Sequence, residues 1–225
     1  MALPALLRDN LSIPVVGAPL FIISNPDLVI EQCKAGVVGS FPALNARPAS
    51  LLDEWLHRIK EELAAHDKAH PDRPSAPFAV NQIVHKSNNR LEQDLALCEK
   101  HKVPMIITSL GAREELNQAA HRWGGIVFHD VIKVRHAEKA LEAGVDGLIA
   151  VCGGAGGHAG TLNPFALVNE LRRIHKGPLA LAGAITNGDA ILAAEAMGCD
   201  LAYMGTRFIA TRESMAVADY KQMIV

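Results

Sequence analysis

Aromatic residues are scarce in this 225-residue chain, at 4%, and the 22 basic and 24 acidic side chains nearly cancel, leaving a formal net charge of −2. A charge balance that close to zero gives no field suited to nucleic acid or to an anionic membrane surface. No apolar run approaches the roughly 18 residues of a membrane span, and the start, MALPALLRDN, lacks the apolar core of a secretory leader. Cysteine is sparse as well. Cys33, Cys98, Cys152 and Cys199 stand far apart without CxxC spacing, which argues against a disulfide framework and for a reducing, cytoplasmic setting. A metal site is poorly supported, because Cys152 and His158 have no second ligand pair and His129 with Asp130 cannot complete one. What remains is an ordinary globular protein whose expected partners are small molecules.

Ala, Leu, Val and Ile supply most of a 49% hydrophobic content. They are arranged as short β-branched runs alternating with longer amphipathic stretches. The runs fall at 13–20 (IPVVGAPL), 36–41 (GVVGSF), 77–84 (PFAVNQIV), 105–111 (MIITSLG), 125–131 (GIVFHDV), 147–152 (GLIAVC), 179–185 (LALAGAI) and 201–208 (LAYMGTRF). Helical patterns follow at 26–35, 50–66, 89–101, 112–123, 133–143, from Asn163-Pro164, at 187–197 and from near Thr211. Near-continuous apolar strands alternating with helices predict a parallel sheet covered by helices, and eight such units fit a (β/α)8 TIM barrel in one domain over residues 1–225. An open doubly wound sheet is the structural alternative. The polar, proline-rich stretch 66–77 reads as an exposed connection, and the chain ends inside a helical pattern, VADYKQMIV, so the last helix is expected to be incomplete.

In a barrel the ligand face lies at the C-terminal ends of the strands. Those ends carry small residues: Gly17-Ala18-Pro19-Leu20, Ser40-Phe41, Asn81-Gln82, Thr108-Ser109-Leu110-Gly111, His129-Asp130, Ala182-Gly183-Ala184 and Met204-Gly205-Thr206-Arg207. After the sixth strand runs GAGGHAG (154–160), in which His158 sits among glycines that cost stability in regular structure. Such a loop lets the main chain pass close to a flat ligand and leaves the imidazole free of neighbouring bulk. With an unperturbed pKa near 6.5, it suits proton abstraction near neutral pH. The loop lacks the strand-turn-helix context of a dinucleotide fingerprint. Cys152 has no adjacent base and reads as a small buried strand residue rather than a nucleophile.

Taken in order, GAPL (17–20), PFAVN (77–81), VRHAEKALEAGVDG (134–147), GAGGHAG (154–160), LAGAI (181–185) and MGTRFIAT (204–211) resemble the nitronate monooxygenases, formerly 2-nitropropane dioxygenases, across nearly the whole chain. The resemblance implies an FMN-dependent TIM barrel that oxidises alkyl nitronates or nitroalkanes with O2. It implies that the backbone at Ala18, Pro19 and Leu20 faces the flavin ring and that Asn81 bonds its polar edge. Gly156 and Gly157 would line the cofactor beside a catalytic base, His158, and Ala182, Gly183, Ala184, Met204, Gly205 and Thr206 would hold its phosphate. Related barrels often carry lysine where this chain has Asp130, so a positive contact to the flavin becomes a negative one unless Lys133 or Arg135 compensates. Relatives also usually continue into a segment that caps the active site. Two rivals share the seat: an NAD(P)H-dependent quinone or enoyl reductase on the same FMN barrel, and a flavin-free phosphate-binding barrel acting as an isomerase or lyase. The sequence leaves the oligomeric state open, a homodimer included.

Overall fold

The computed structural model describes residues 3–157 and 160–225. It opens with a short helix, α1 (Ala5–Arg8), absent from the sequence reading, followed by β1 (Val15–Gly17), α2 (Pro26–Lys34) and β2 (Gly39–Pro42). A single 3-10 turn (Ala43–Asn45) leads to α3 (Leu51–Ala69), which runs past the expected end at residue 66. Then come β3 (Phe78–Ile83), α4 (Leu91–His101), β4 (Met105–Ser109), α5 (Glu114–Arg122), β5 (Ile126–Val131) and α6 (Val134–Glu142). The second half adds β6 (Gly147–Val151), α7 (Pro164–Ile174), β7 (Leu179–Ala182), α8 (Gly188–Ala196), β8 (Leu201–Met204), α9 (Thr206–Ile209) and α10 (Ala218–Ile224). Asparagine caps fix three helix starts: the side chains of Asn25, Asn163 and Asn187 accept from Leu28 N, Phe165 N and Ala190 N, and proline follows the first two.

The eight strands form one parallel sheet, and β1 meets both β8 and, through a bridge from Val16 to Val38, the β2 edge. The sheet is thus a closed (β/α)8 TIM barrel, and the open-sheet alternative is excluded. Among the described residues, no helix is long and apolar enough to cross a membrane.

Two buried clusters divide along the strand alternation. Val16, Val38, Ala79, Met105, Ile107, Phe128, Ile149, Ala180 and Leu201 fill the barrel, with Leu7 of α1 among them. Their sequence neighbours, such as Val15, Val80, Ile106, Val127, Leu148 and Ala202, pack in the other cluster against the helices. Phe128 is fully buried, and Gly147 on the adjacent strand gives it room: a Cβ there would lie 2.6 Å from the ring.

Two sequence boundaries need correction. The eighth strand stops at Met204 instead of reaching Phe208, because the chain turns at Gly205 into α9. The helix expected from near Thr211 is replaced by α9 before it and α10 after it, joined by an irregular segment in which Ser214 is buried and donates to Ile209 O.

Candidate active site

Two residues further along each strand from the apolar interior layer, the chain places a second layer at the C-terminal mouth. It comprises Ser40, Asn81, Ser109, Asp130, Val151, Ala182 and Tyr203. Strand alternation therefore separates two neighbours that sequence reasoning took together. Asp130 shares the face of Phe128 and looks into the mouth. His129 faces the helices, is buried, and its Nδ1 lies 2.7 Å from Thr108 Oγ1. Burial, with a smaller contribution from His136, drops the His129 pKa to about 4, so it is a neutral structural residue at physiological pH.

Asn81 is buried and its Nδ2 donates to Ile107 O at 3.0 Å and to Ser109 Oγ at 2.9 Å. Of its two amide atoms, Oδ1 is the one left for a ligand. Tyr203 was missed by the sequence reading, which took the strand end from Met204 onward. Counting alternate residues forward from Leu201 would have found it. Its hydroxyl is held protonated, first by burial and then by the charge of Asp130, so the phenol on β8 and the carboxylate on β5 sense each other across the barrel. Lys133 and Arg135 sit at the start of α6 beside His136, whose pKa is lowered first by burial and then by the charges of Lys133, Lys139 and Arg135.

The remaining predicted residues fall into two backbone junctions. At the first, Ala18 N donates to Met204 O at 2.7 Å, and a Cβ on Gly205 would lie 3.2 Å from the Leu20 side chain and 3.7 Å from that of Ala18. This brings Ala18 and Leu20 against Met204 and Gly205, with Pro19 and Thr206 adjacent to them in the chain. At the second, Cys152 N donates to Ala182 O, and Ala184 N donates to Gly154 O at 3.1 Å. Gly183 has φ +143, and a Cβ there would lie 2.9 Å from Gly153 O. Ala184, at φ +54, thus has its amide committed to the glycine loop. Gly157 and Gly156 lie on the same loop, and no described atom comes within 4 Å of a Cβ built at either. Gly157 needs glycine for its φ of +67, whereas Gly156 is constrained by neither backbone nor neighbour. His158, the expected base, lies outside the described residues. Burial pushes the Cys152 thiol up to about 11, so it is protonated and no nucleophile at neutral pH.

Fold and site together define the class: a (β/α)8 barrel with a mouth paved by small residues and backbone, ringed by a few polar groups. The nitronate monooxygenase family model matches residues 59–225. Nitronate monooxygenase from Pseudomonas aeruginosa is 35% identical, covering 94% of this chain and 70% of its own. A hydroxy-methyl-oxo-octahydroindene-carboxyl-CoA dehydrogenase of Rhodococcus jostii is 28% identical over 89% of this chain and 53% of its own. Among solved structures, FabK from Thermotoga maritima superposes with a TM-score of 0.82 at 27% identity, covering 96% of this chain and 65% of that one. The chain belongs to the nitronate monooxygenase family, a family of oxidoreductases, and it spans about half to two thirds of the length of such relatives.

Proposed function

We propose that this chain forms the FMN-binding barrel of an enzyme that oxidises alkyl nitronates, or nitroalkanes after deprotonation, with O2. One observation supports the cofactor most directly. Gly156 is a glycine that neither its backbone conformation nor any described neighbour requires, on a loop joined to Ala182–Ala184 at the barrel mouth. A planar ring lying against that backbone would require it. The seat at Ala18, Pro19 and Leu20, touching Gly205, suits the same ring, and Gly183, Gly205 and Thr206 offer main-chain approach to a phosphate at the site where barrels of this type often bind one.

When bound, FMN supplies the electron acceptor for the nitronate and the means of reaction with oxygen. The chain's own residues do the rest. Asn81 Oδ1 accepts a hydrogen bond from the ring's polar edge, since Nδ2 is held by Ile107 and Ser109. His158 takes the proton from the carbon next to the nitro group; the electron pair left behind spreads onto the nitro oxygens and gives the nitronate. Protonated Tyr203 and the Asp130 carboxylate set the polarity under the mouth, so an anion there faces a hydroxyl donor as well as a negative charge.

The Rhodococcus relative bears the name of a dehydrogenase, so the electron donor is the property to test. Anaerobic mixing of the FMN-loaded protein with an alkyl nitronate, and separately with NADH or NADPH, distinguishes the readings. Rapid bleaching of the visible flavin absorption by nitronate alone is expected. Bleaching by a nicotinamide nucleotide and not by nitronate would assign a reductase and overturn the proposal.

A further inference from the structure

The backbone that would face the ring at Ala18–Leu20 is held from outside the mouth. Between β1 and α2 the chain folds into a compact turn: Ser24 N and Ile23 N donate to Leu20 O, and Leu20 N donates to Ser24 Oγ at 2.9 Å. Ile22 takes φ +57, an uncommon conformation for a β-branched residue. Asn45, from the turn after β2, fills this loop. Its Nδ2 donates to Leu20 O at 2.9 Å and Ser24 O at 2.8 Å, while Oδ1 accepts from Ile22 N at 2.9 Å. Three bonds from one buried side chain thus replace the backbone partners that an irregular loop lacks.

Asn45 is itself fixed from the next strand unit. Arg90, at the start of α4, donates through Nη1 to Ala46 O at 2.8 Å and through Nη2 to Ala43 O at 3.3 Å, the carbonyls at the two ends of the turn bearing Asn45. The guanidinium is oriented by Asp94, which is fully buried and accepts from Nη2 at 3.0 Å. Burial of this carboxylate is costly enough to raise its pKa despite the bond to Arg90, and among the described residues Arg90 is the partner that opposes that cost, so losing the paired geometry would leave a buried group unpaired. Arg47, two residues past Asn45, also lies over the Phe21 ring at 5.1 Å.

We infer that Asn45 and Arg90 are positioning residues for the cofactor seat: the Arg90–Asp94 pair sets the turn, the turn sets Asn45, and Asn45 sets the backbone of Leu20 against Gly205. The inference rests on the FMN reading above. Neither residue is placed against the ligand, so their effect passes through loop geometry alone.

The test compares wild type with Asn45→Asp, which keeps the shape but turns a carboxyl oxygen toward two carbonyls. Two quantities are measured: amide hydrogen exchange over residues 18–24 in the FMN-free protein, and the FMN dissociation constant from quenching of flavin fluorescence. Faster exchange at Ile22 and Ser24, with FMN binding weakened about tenfold or more, is expected. Arg90→Lys, which preserves the charge facing Asp94 but not the reach to both carbonyls, should give the same pattern more weakly and serves where Asn45→Asp fails to fold. If wild type binds FMN and the variants bind it within about twofold of wild type, the inference is overturned while the flavin reading stands. If wild type does not bind FMN, the flavin reading falls and takes this inference with it.

Discussion

His129 and Asp130 are adjacent in sequence and face opposite sides of the sheet. The sequence placed both at a strand end, and the alternation of strands dictates that only one of them reaches the mouth. Which one depends on the phase of the whole strand, and in a strand apolar on both faces no polar side chain marks that phase. His129 carries a pH prediction. Unfolded, it takes up its proton near pH 6.5; folded, only near pH 4. Between these values the unfolded state binds more protons, so stability falls as pH drops from about 6.5 to about 4, by at most about 3 kcal/mol from this residue. His129→Gln should flatten the dependence of urea midpoint on pH in that window. An unchanged slope would show that His129 titrates normally. For His158, substitution by Asn is expected to abolish turnover of neutral nitroalkanes while leaving FMN binding intact and impairing preformed nitronates less. Turnover of neutral nitroalkanes at the wild-type rate would remove it as the base.

The elements were legible where their signals are redundant. The Asn163-Pro164 pair announced α7 and Asn187 opened α8; β1 and β3 to β7 lie inside apolar runs that were simply too generous at their ends, while β2 runs one residue past its own, to Pro42. The eighth misled because Phe208 and Ile209 continue an apolar pattern that serves equally for strand or helix, and only the turn at Gly205 decides. Helix α1 was invisible because four residues carry no period. Between β5 and β6 the packing makes a measurable claim. Gly147 accommodates the Phe128 ring, so Gly147→Ala should destabilise the barrel by about 2 kcal/mol in the parent and by clearly less in a Phe128→Leu background. Equal costs in the two backgrounds, measured by chemical denaturation, would mean that the ring is not what the glycine makes room for.

At the scale of the molecule, α1 contributes Leu7 to the interior cluster, where it packs with strand residues as though it were one of them. Leu7→Ala should therefore cost about 2–5 kcal/mol of unfolding free energy, as expected for a core leucine rather than an N-terminal appendage. A loss within about 0.5 kcal/mol would show that the barrel is sealed without it.

The closed parallel barrel could be anticipated from alternation and count, and the positions of Ala18–Leu20, Gly183 and Gly205 from the rule that barrels bind at strand ends. The supports of that face could not. Asn45 and Arg90 make their contacts between units distant in sequence, and no local pattern records those. The proposed chemistry depends on a flavin being seated at the paved mouth. The most direct measurement is the visible absorption spectrum of the purified protein after incubation with FMN and removal of free ligand by gel filtration. Flavin bands that elute with the protein and are lost when the glycine loop is filled by Gly156→Leu are predicted; a colourless protein after the same treatment would mean that the mouth seats no flavin.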